Sequence, residues 1–292
     1  MSSIHTLFRP PAEANSLIIR VADGCPWNKC TFCGMYKKVT YRLYSLEEIK
    51  RSIAEAYTLD PNARRIFLAD GDIMALSLDK LENILQILNS TFSRLARVNV
   101  YANGNSILNK SDEQLISLKK LKLNTLYMGL ESGDELTLKD VKKRETAREM
   151  VEAAQQAQSS GLRMSVMILI GLGGQQNTSR HAVATSEMLN DMQPRLLSAL
   201  RVIPISGTEF YEGEQTGSFV QLTEFQAVEE LREIIAGLKL KNCVFRANHS
   251  SNILPMEGRF PKDKDRLLYE LDHLLQTGKL SKTSPASAPL WL

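Results

Sequence analysis

The chain has no run of eighteen apolar residues, so it offers no helix long enough to span a bilayer. Met1 to Asn15 lacks the charged-then-apolar pattern of a secretory leader, and a cytoplasmic protein is expected. Charge of one sign is also lacking. Thirty-six Lys and Arg against 33 Asp and Glu leave +3, too little to argue for nucleic acid as a partner. No internal repeat and no interdomain linker stands out. Cysteine is scarce, with four in 292 residues, which excludes a disulfide-stapled miniprotein. What is present is ordinary globular material: 43% hydrophobic and 24% charged residues, enough to form a core and to exclude a disordered chain. The length fits one large domain, or two small ones at most.

Apolar runs and helical periodicity alternate along the chain. Strands are expected at 16–22, 65–69, 98–101, 125–130, 164–170 and 197–203, with a shorter seventh at 243–246. Between them, Ser45 with Glu48, Ser111 with Gln114 and Thr223 with Gln226 have the spacing of helix-opening capping boxes. Leu81, Ile84, Leu85 and Leu88 recur at helical spacing, and further helices are expected near 146–159 and 264–275. Strand-then-helix units without antiparallel hairpins imply an α/β fold, a parallel sheet covered by helices. An open doubly wound sheet and a barrel both satisfy this; the even succession favours a partial or complete TIM-like (β/α) barrel. Its strand-end loops would gather the unusual residues at one mouth. Residues 1–15 read as an N-terminal arm, 16–240 as the core barrel, 241–280 as a strand, loop and helix completing the pocket. Residues 281–292 read as a tail whose body does not join the core, with Trp291 free to dock.

Three of the four cysteines lie close together, in Gly24-Cys25-Pro26-Trp27-Asn28-Lys29-Cys30-Thr31-Phe32-Cys33. Cys25, Cys30 and Cys33 can bind three irons of a [4Fe-4S] cube and leave the fourth iron open to a ligand. Lys29, Lys37 and Lys38 stand near in sequence to offset the thiolate charge. The competing reading is structural zinc, whose fourth ligand would be Cys243, His249 or His181.

These residues resemble the radical S-adenosylmethionine superfamily, nearest the branch of coproporphyrinogen oxidase and the Elongator catalytic subunit. The superfamily usually carries Cys-x3-Cys-x-aromatic-Cys; here the first spacing is one residue longer, and Phe32 holds the aromatic position. Further matches follow in order. Asp70-Gly71-Asp72 stands where the family has Gly-Gly-Glu, and Gly129-Leu130-Glu131-Ser132-Gly133 matches its G-x-E-S-G element. Lys142 or Lys143 falls near a family lysine. Ile168 to Gly174, with Gly171 and Gly173, resembles the glycine element along the adenosine, and Pro204 opens a P-x-x-G-T match. The resemblance implies a (β/α)6 core with a short C-terminal cap. It implies a [4Fe-4S] cluster on Cys25, Cys30 and Cys33, and S-adenosylmethionine bound by Phe32, Asp70, Gly71, Asp72, Glu131, Ser132, Gly171, Gly173 and Pro204.

The implied reaction is reductive cleavage of S-adenosylmethionine to a 5′-deoxyadenosyl radical that abstracts hydrogen from a small molecule. A peptide substrate, or a cluster-carrying binding or chaperone protein without turnover, are the alternatives. Flavodoxin or ferredoxin is the expected reductant, and no membrane partner is expected. On the substrate side, Arg246, Asn248 and His249 head a polar stretch after the seventh strand, His249 being the candidate for proton transfer. Tyr101, Asn103 and Asn105 rank behind them. His5, His181 and His273 are expected at the surface, and Cys243 as a small apolar residue. Only Cys243 remains for an auxiliary cluster, and no cobalamin domain is expected before Cys25. Both observations argue against the larger members of the superfamily.

Overall fold

The computed structural model describes residues 6–288; the expectations for His5 and Trp291 fall outside them. The chain divides into two compact units. The first comprises the chain up to Asn28, Met35–Met128 and Glu152–Met164; the second comprises Lys29–Gly34, Gly129–Val151 and the chain from Ser165 on.

In the first unit, β1 (Leu17–Arg20), β2 (Arg65–Ala69), β3 (Arg97–Tyr101) and the start of β4 (Leu123–Glu131) pair in that order, all parallel. Ile66, Phe67, Leu68, Ala69, Val98 and Val100 are all fully buried. Such unbroken apolar runs are what a strand covered on both faces requires. Helices α1 (Leu46–Leu59) and α2 (Leu78–Thr91) bury Ile49 and Ile53, and Leu81, Ile84, Leu85 and Leu88, at helical spacing. The helix α3 (Asp112–Lys120) follows β3. A two-residue antiparallel ladder, Ala22–Asp23 with Arg42–Leu43, pins the chain on either side of the cysteine loop.

The helix α4 (Ala147–Ser159) leads to β5 (Arg163–Ile170), which pairs in parallel with β6 (Leu196–Arg201) in the second unit, and β6 with β7 (Cys243–Arg246). The two faces of these strands differ. Val166, Ile168, Leu197, Ala199 and Phe245 are buried, whereas Met167, Leu169, Ser198, Leu200, Val244 and Arg246 alternate with them and are half-buried. Helices α5 (Gly174–Met192), α6 (Glu224–Gly237) and α7 (Lys264–Gln276) pack in succession, α5 on α6 and α6 on α7. The capping boxes expected at Ser45, Ser111 and Thr223 are all formed.

This is an α/β architecture of mostly parallel strands alternating with helices, the succession of a TIM-like core. Two expectations are corrected. An antiparallel hairpin does exist: β8 (Glu257–Phe260) returns beside β7, Glu257 opposite Arg246. The Glu257–Phe260 stretch is too short and too charged to announce itself by pattern. The tail also joins the second unit. Ser284 O and Ser281 O accept the Glu224 and Phe225 N–H groups, donors at the start of α6 that the helix itself leaves without acceptors. Among the described residues no helix is long and apolar enough to cross a membrane.

Candidate functional site

In the first unit, the chain ends of the cysteine loop meet the end of β2. Gly71 N–H donates to Gly24 O at 2.9 Å. A Cβ on Gly71 would lie 2.6 Å from Cys25 Cα, so glycine here lets two backbones touch. Asp70 sits beside it with a left-handed φ of 73° and is fully buried. That conformation is costly outside glycine and clusters at functional sites. Its carboxylate pairs with Arg20 Nε at 3.2 Å. Asp72, also buried, accepts from the Asn103 backbone N–H at 3.2 Å and from the Ser106 hydroxyl. Asp70 and Asp72 thus already hold protein partners, and Asn103 acts through its backbone. Tyr41, near Asp72 and Cys25, has its phenol pushed up by burial and then by those two groups. Tyr101 stands edge-on to Phe67 and Tyr127, and Asn105 accepts from Asn109.

The arm supplies a group that no pattern announced. Glu13 is buried and accepts from Ser16 at 2.5 Å, from Asn99 at 2.8 Å and from the Tyr127 hydroxyl. Its only sequence signal was a carboxylate after two prolines.

In the second unit, the segment 29–34 is tied down by its backbone. Thr31 N–H donates to Val141 O at 2.9 Å, and Phe210 N–H to Thr31 O at 3.2 Å. Phe32 packs against Val141, Leu172, Val202 and Phe210, together with Leu169 and Phe219. Cys30 and Cys33 are half-buried and form no disulfide, and the same holds for Cys25 in its own unit. Ile205 packs on Gly34, in the loop where half-buried Pro204 also lies. Among the described residues no three His, Cys, Asp or Glu side chains are grouped to hold a metal ion. The proposed zinc ligands are engaged elsewhere: Cys243 with Val244 O, His249 with Ser251 and His181 with Ser132. Burial pushes the Cys243 thiol up to about 12, so it stays protonated, as the sequence suggested.

The G-x-E-S-G element has a separate reason for each residue. A Cβ on Gly129 would lie 1.9 Å from Glu131 Oε1; glycine there makes room for the carboxylate. Glu131 ends β4 with a φ of 63° and faces Lys143 Nζ at 3.4 Å. Burial raises its carboxyl against the opposing pull of Lys143. Ser132 Oγ accepts from Asp134 N–H at 2.9 Å and bonds His181 Nδ1 at 2.8 Å. Gly133 admits α5, since a Cβ would come 2.2 Å from Ala184 O.

His181 corrects an expectation. It is wholly buried on α5, not at the surface, and its Nε2 stands 3.5 Å from Glu230 Oε1. Burial lowers the imidazole to about 4 and raises Glu230 to about 7. Glu230 also accepts from Gly171 N–H at 2.6 Å and from Thr178 at 2.6 Å. Gly171, with φ 83°, is thereby fastened to α6. Gly173 lies against His181 and Asn177, where a Cβ would meet atoms at 3.2–3.3 Å.

The polar stretch after β7 forms the hairpin loop. Ser251 offers both its N–H, at 3.1 Å, and its hydroxyl, at 2.8 Å, to His249 Nδ1, while its Oγ accepts Arg201 N–H. The ring hydrogen is therefore assigned to Nε2, and burial lowers the imidazole from its ordinary value. His249 is thus a neutral imidazole held through Nδ1 by Ser251. Asn252 bonds Ala199 O and Ala247 O, Asn248 is exposed, and Arg246 is half-buried. His273, on α7, stacks on exposed Tyr269.

Comparison with known proteins adds the family. The model of the Radical SAM superfamily matches residues 19–184. Coproporphyrinogen III oxidase (HemN) from Escherichia coli, a radical SAM enzyme, superposes with a TM-score of 0.56 at 14% identity, covering 76% of this chain and 51% of that one. Elp3 of the archaeon Methanocaldococcus infernus gives 0.54 at 15%, covering 89% and 63%. Methylornithine synthase (PylB) gives 0.53 at 15%, covering 93% and 83%. The chain spans about half to two thirds of the length of the first two. No curated protein matches.

Proposed function

The chain belongs to the radical SAM superfamily, and on that premise we propose that it is an enzyme abstracting hydrogen from a small-molecule substrate. Its cofactors are those of the superfamily, a [4Fe-4S] cluster and S-adenosylmethionine. The observation that carries the proposal is the donor set. Three half-buried thiols, none of them in a disulfide, lie in one loop, and the fourth, Cys243, is held neutral by burial. Three soft ligands suit a cluster with one open iron and leave a tetrahedral zinc site short of a ligand. When bound, this pair of cofactors supplies the primary radical; the protein supplies position and exclusion of water.

The residues divide that work. Cys25, Cys30 and Cys33 hold the iron, and Phe32 offers an apolar surface beside the loop. Glu131, held by Lys143 and seated by Gly129, is the carboxylate proposed to meet the cationic amino group of S-adenosylmethionine. Ser132, Gly171, Gly173 and Pro204 shape the walls, and Gly71 carries the first cysteine on β2. Asp70 and Asp72 are positioning groups, engaged with Arg20, Asn103 and Ser106. Arg246, Asn248 and His249 belong to the substrate side, His249 as a donor. An external reductant of the flavodoxin or ferredoxin kind and a cytoplasmic setting complete the reading.

Anaerobic reconstitution tests it. Near four irons and four sulfides per chain, with a low-temperature EPR signal altered by S-adenosylmethionine, are expected, followed by release of 5′-deoxyadenosine under reduction. Cys30→Ala should lose most of the iron and the signal. Bound zinc, or a signal indifferent to S-adenosylmethionine, would sink the proposal.

A further inference from the structure

The half-buried face of β5, β6 and β7 has a pattern that goes beyond cofactor binding. In-register residues of parallel strands point to the same face. Met167 is opposite Ser198, and Ser198 is opposite Arg246, so these three form one row across the second unit. The row toward the strand ends is Leu169 and Leu200, and Leu169 packs with Phe32. The row on the other side is Leu196 and Val244. Ser198 and Arg246 thus have the apolar row Leu169–Leu200 on one side and Leu196–Val244 on the other, where Ser165 is opposite Leu196, with Met167 at one end of their own row and Glu257 at the other.

Among the described residues neither side chain of that pair makes a hydrogen bond or ion pair. Glu257, the register partner of Arg246 on the hairpin, is exposed, and its backbone carbonyl accepts from Arg266. No nitrogen of this half-buried guanidinium is sealed from water, so its donors are open to a ligand with acceptor oxygens. A hydroxyl on the adjacent strand, roughly 5 Å away along the sheet, supplies one more donor. Donors between apolar rows fit a ligand with acceptor oxygens at one end and hydrocarbon beside them.

We infer that the substrate carries an anionic oxygen group, carboxylate or phosphate, seated on Arg246 and Ser198, with an apolar body along Met167, Leu169 and Leu200. Successive rows on one face are about 6.6 Å apart. A short molecule therefore reaches from the Arg246 row to the Leu169 row, which borders Phe32. The inference rests on the proposed function and narrows its substrate to small amphipathic acids or phosphate monoesters.

The test uses the reconstituted protein with S-adenosylmethionine and three probes sharing one chain: hexanoate, hexyl phosphate and neutral hexanamide. Calorimetric titration should show one of the two anions binding and the amide failing; which anion binds identifies the group. Arg246→Gln should weaken that binding about tenfold or more, Arg246→Lys should restore part of it, and Ser198→Ala should weaken it less. Melting temperatures of the three variants check that they fold. S-adenosylmethionine affinity, measured on the same preparations, should not change in Arg246→Gln. Three results would each overturn the inference: no anion binding up to high millimolar concentration, equal binding of anion and amide, or a loss of S-adenosylmethionine affinity in Arg246→Gln. Absence of 5′-deoxyadenosine from wild type, with anion binding intact, would overturn the proposed function instead.

Discussion

Lys143 is the residue on which Glu131 depends. Both side chains are largely buried, 7% and 13% exposed, and the carboxyl is raised by burial despite the ammonium 3.4 Å away. A raised native carboxyl binds its proton more tightly than the unfolded chain does. Its contribution to stability is present at low pH and lost as pH rises through the native value. Lys143→Met removes the opposing charge and raises the carboxyl further. The variant should melt well below wild type at neutral pH and recover on acidification, by thermal melts across the carboxylate range. A melting deficit independent of pH would show that Lys143 acts by packing alone.

The α5 helix joins three strand ends, and two predictions belong to it. Gly133 lets its backbone approach, with Ala184 O 2.2 Å from where a Cβ would stand. The clash is with backbone, which moves only with its helix, so Gly133→Ala should cost about 1–3 kcal/mol in a denaturant titration. His181, on the same helix one turn before Thr185, and Glu230 on α6 titrate in opposite senses. Glu230, raised from 4.5 to about 7, loses stability as pH rises through that interval; His181, lowered from 6.5 to about 4, loses it as pH falls through its own. Stability should therefore peak in mildly acidic solution. Glu230→Gln should abolish the decline on the alkaline side and keep the acid one, followed as melting temperature against pH. Because Glu230 also holds Gly171 N–H, the glycine loop should tighten or loosen with the same titration.

At the scale of the molecule, the tail matters more than its composition suggests. Ser281 and Ser284 accept the first N–H groups of α6, Ser281 N–H bonds Glu224, and Ser287 O accepts Arg201. A chain ending at Gly278 would return those donors to water or leave them unmatched. It should lose roughly 1–3 kcal/mol by chemical denaturation, with protection of the α6 amides falling first in hydrogen exchange. Unchanged stability would mean that water replaces the tail at no cost.

Much of this protein is written locally. Capping boxes at Ser45, Ser111 and Thr223, the apolar runs of β2 and β5, and the spacing of Cys25, Cys30 and Cys33 are properties of short segments. Propensity, periodicity and ligand spacing act over a few residues, so the α/β fold and the candidate cofactor loop were legible from them. The G-x-E-S-G element was legible as a motif, but the work of its glycines was not. Their reasons are a carboxylate two residues on and a helix backbone some fifty residues on. Glu13 beneath Asn99 and Tyr127, His181 between Ser132 and Glu230, the β8 return and the docked tail were decided only by tertiary structure. Each is a polar group whose partner is remote in sequence, and burial alone makes that partner obligatory.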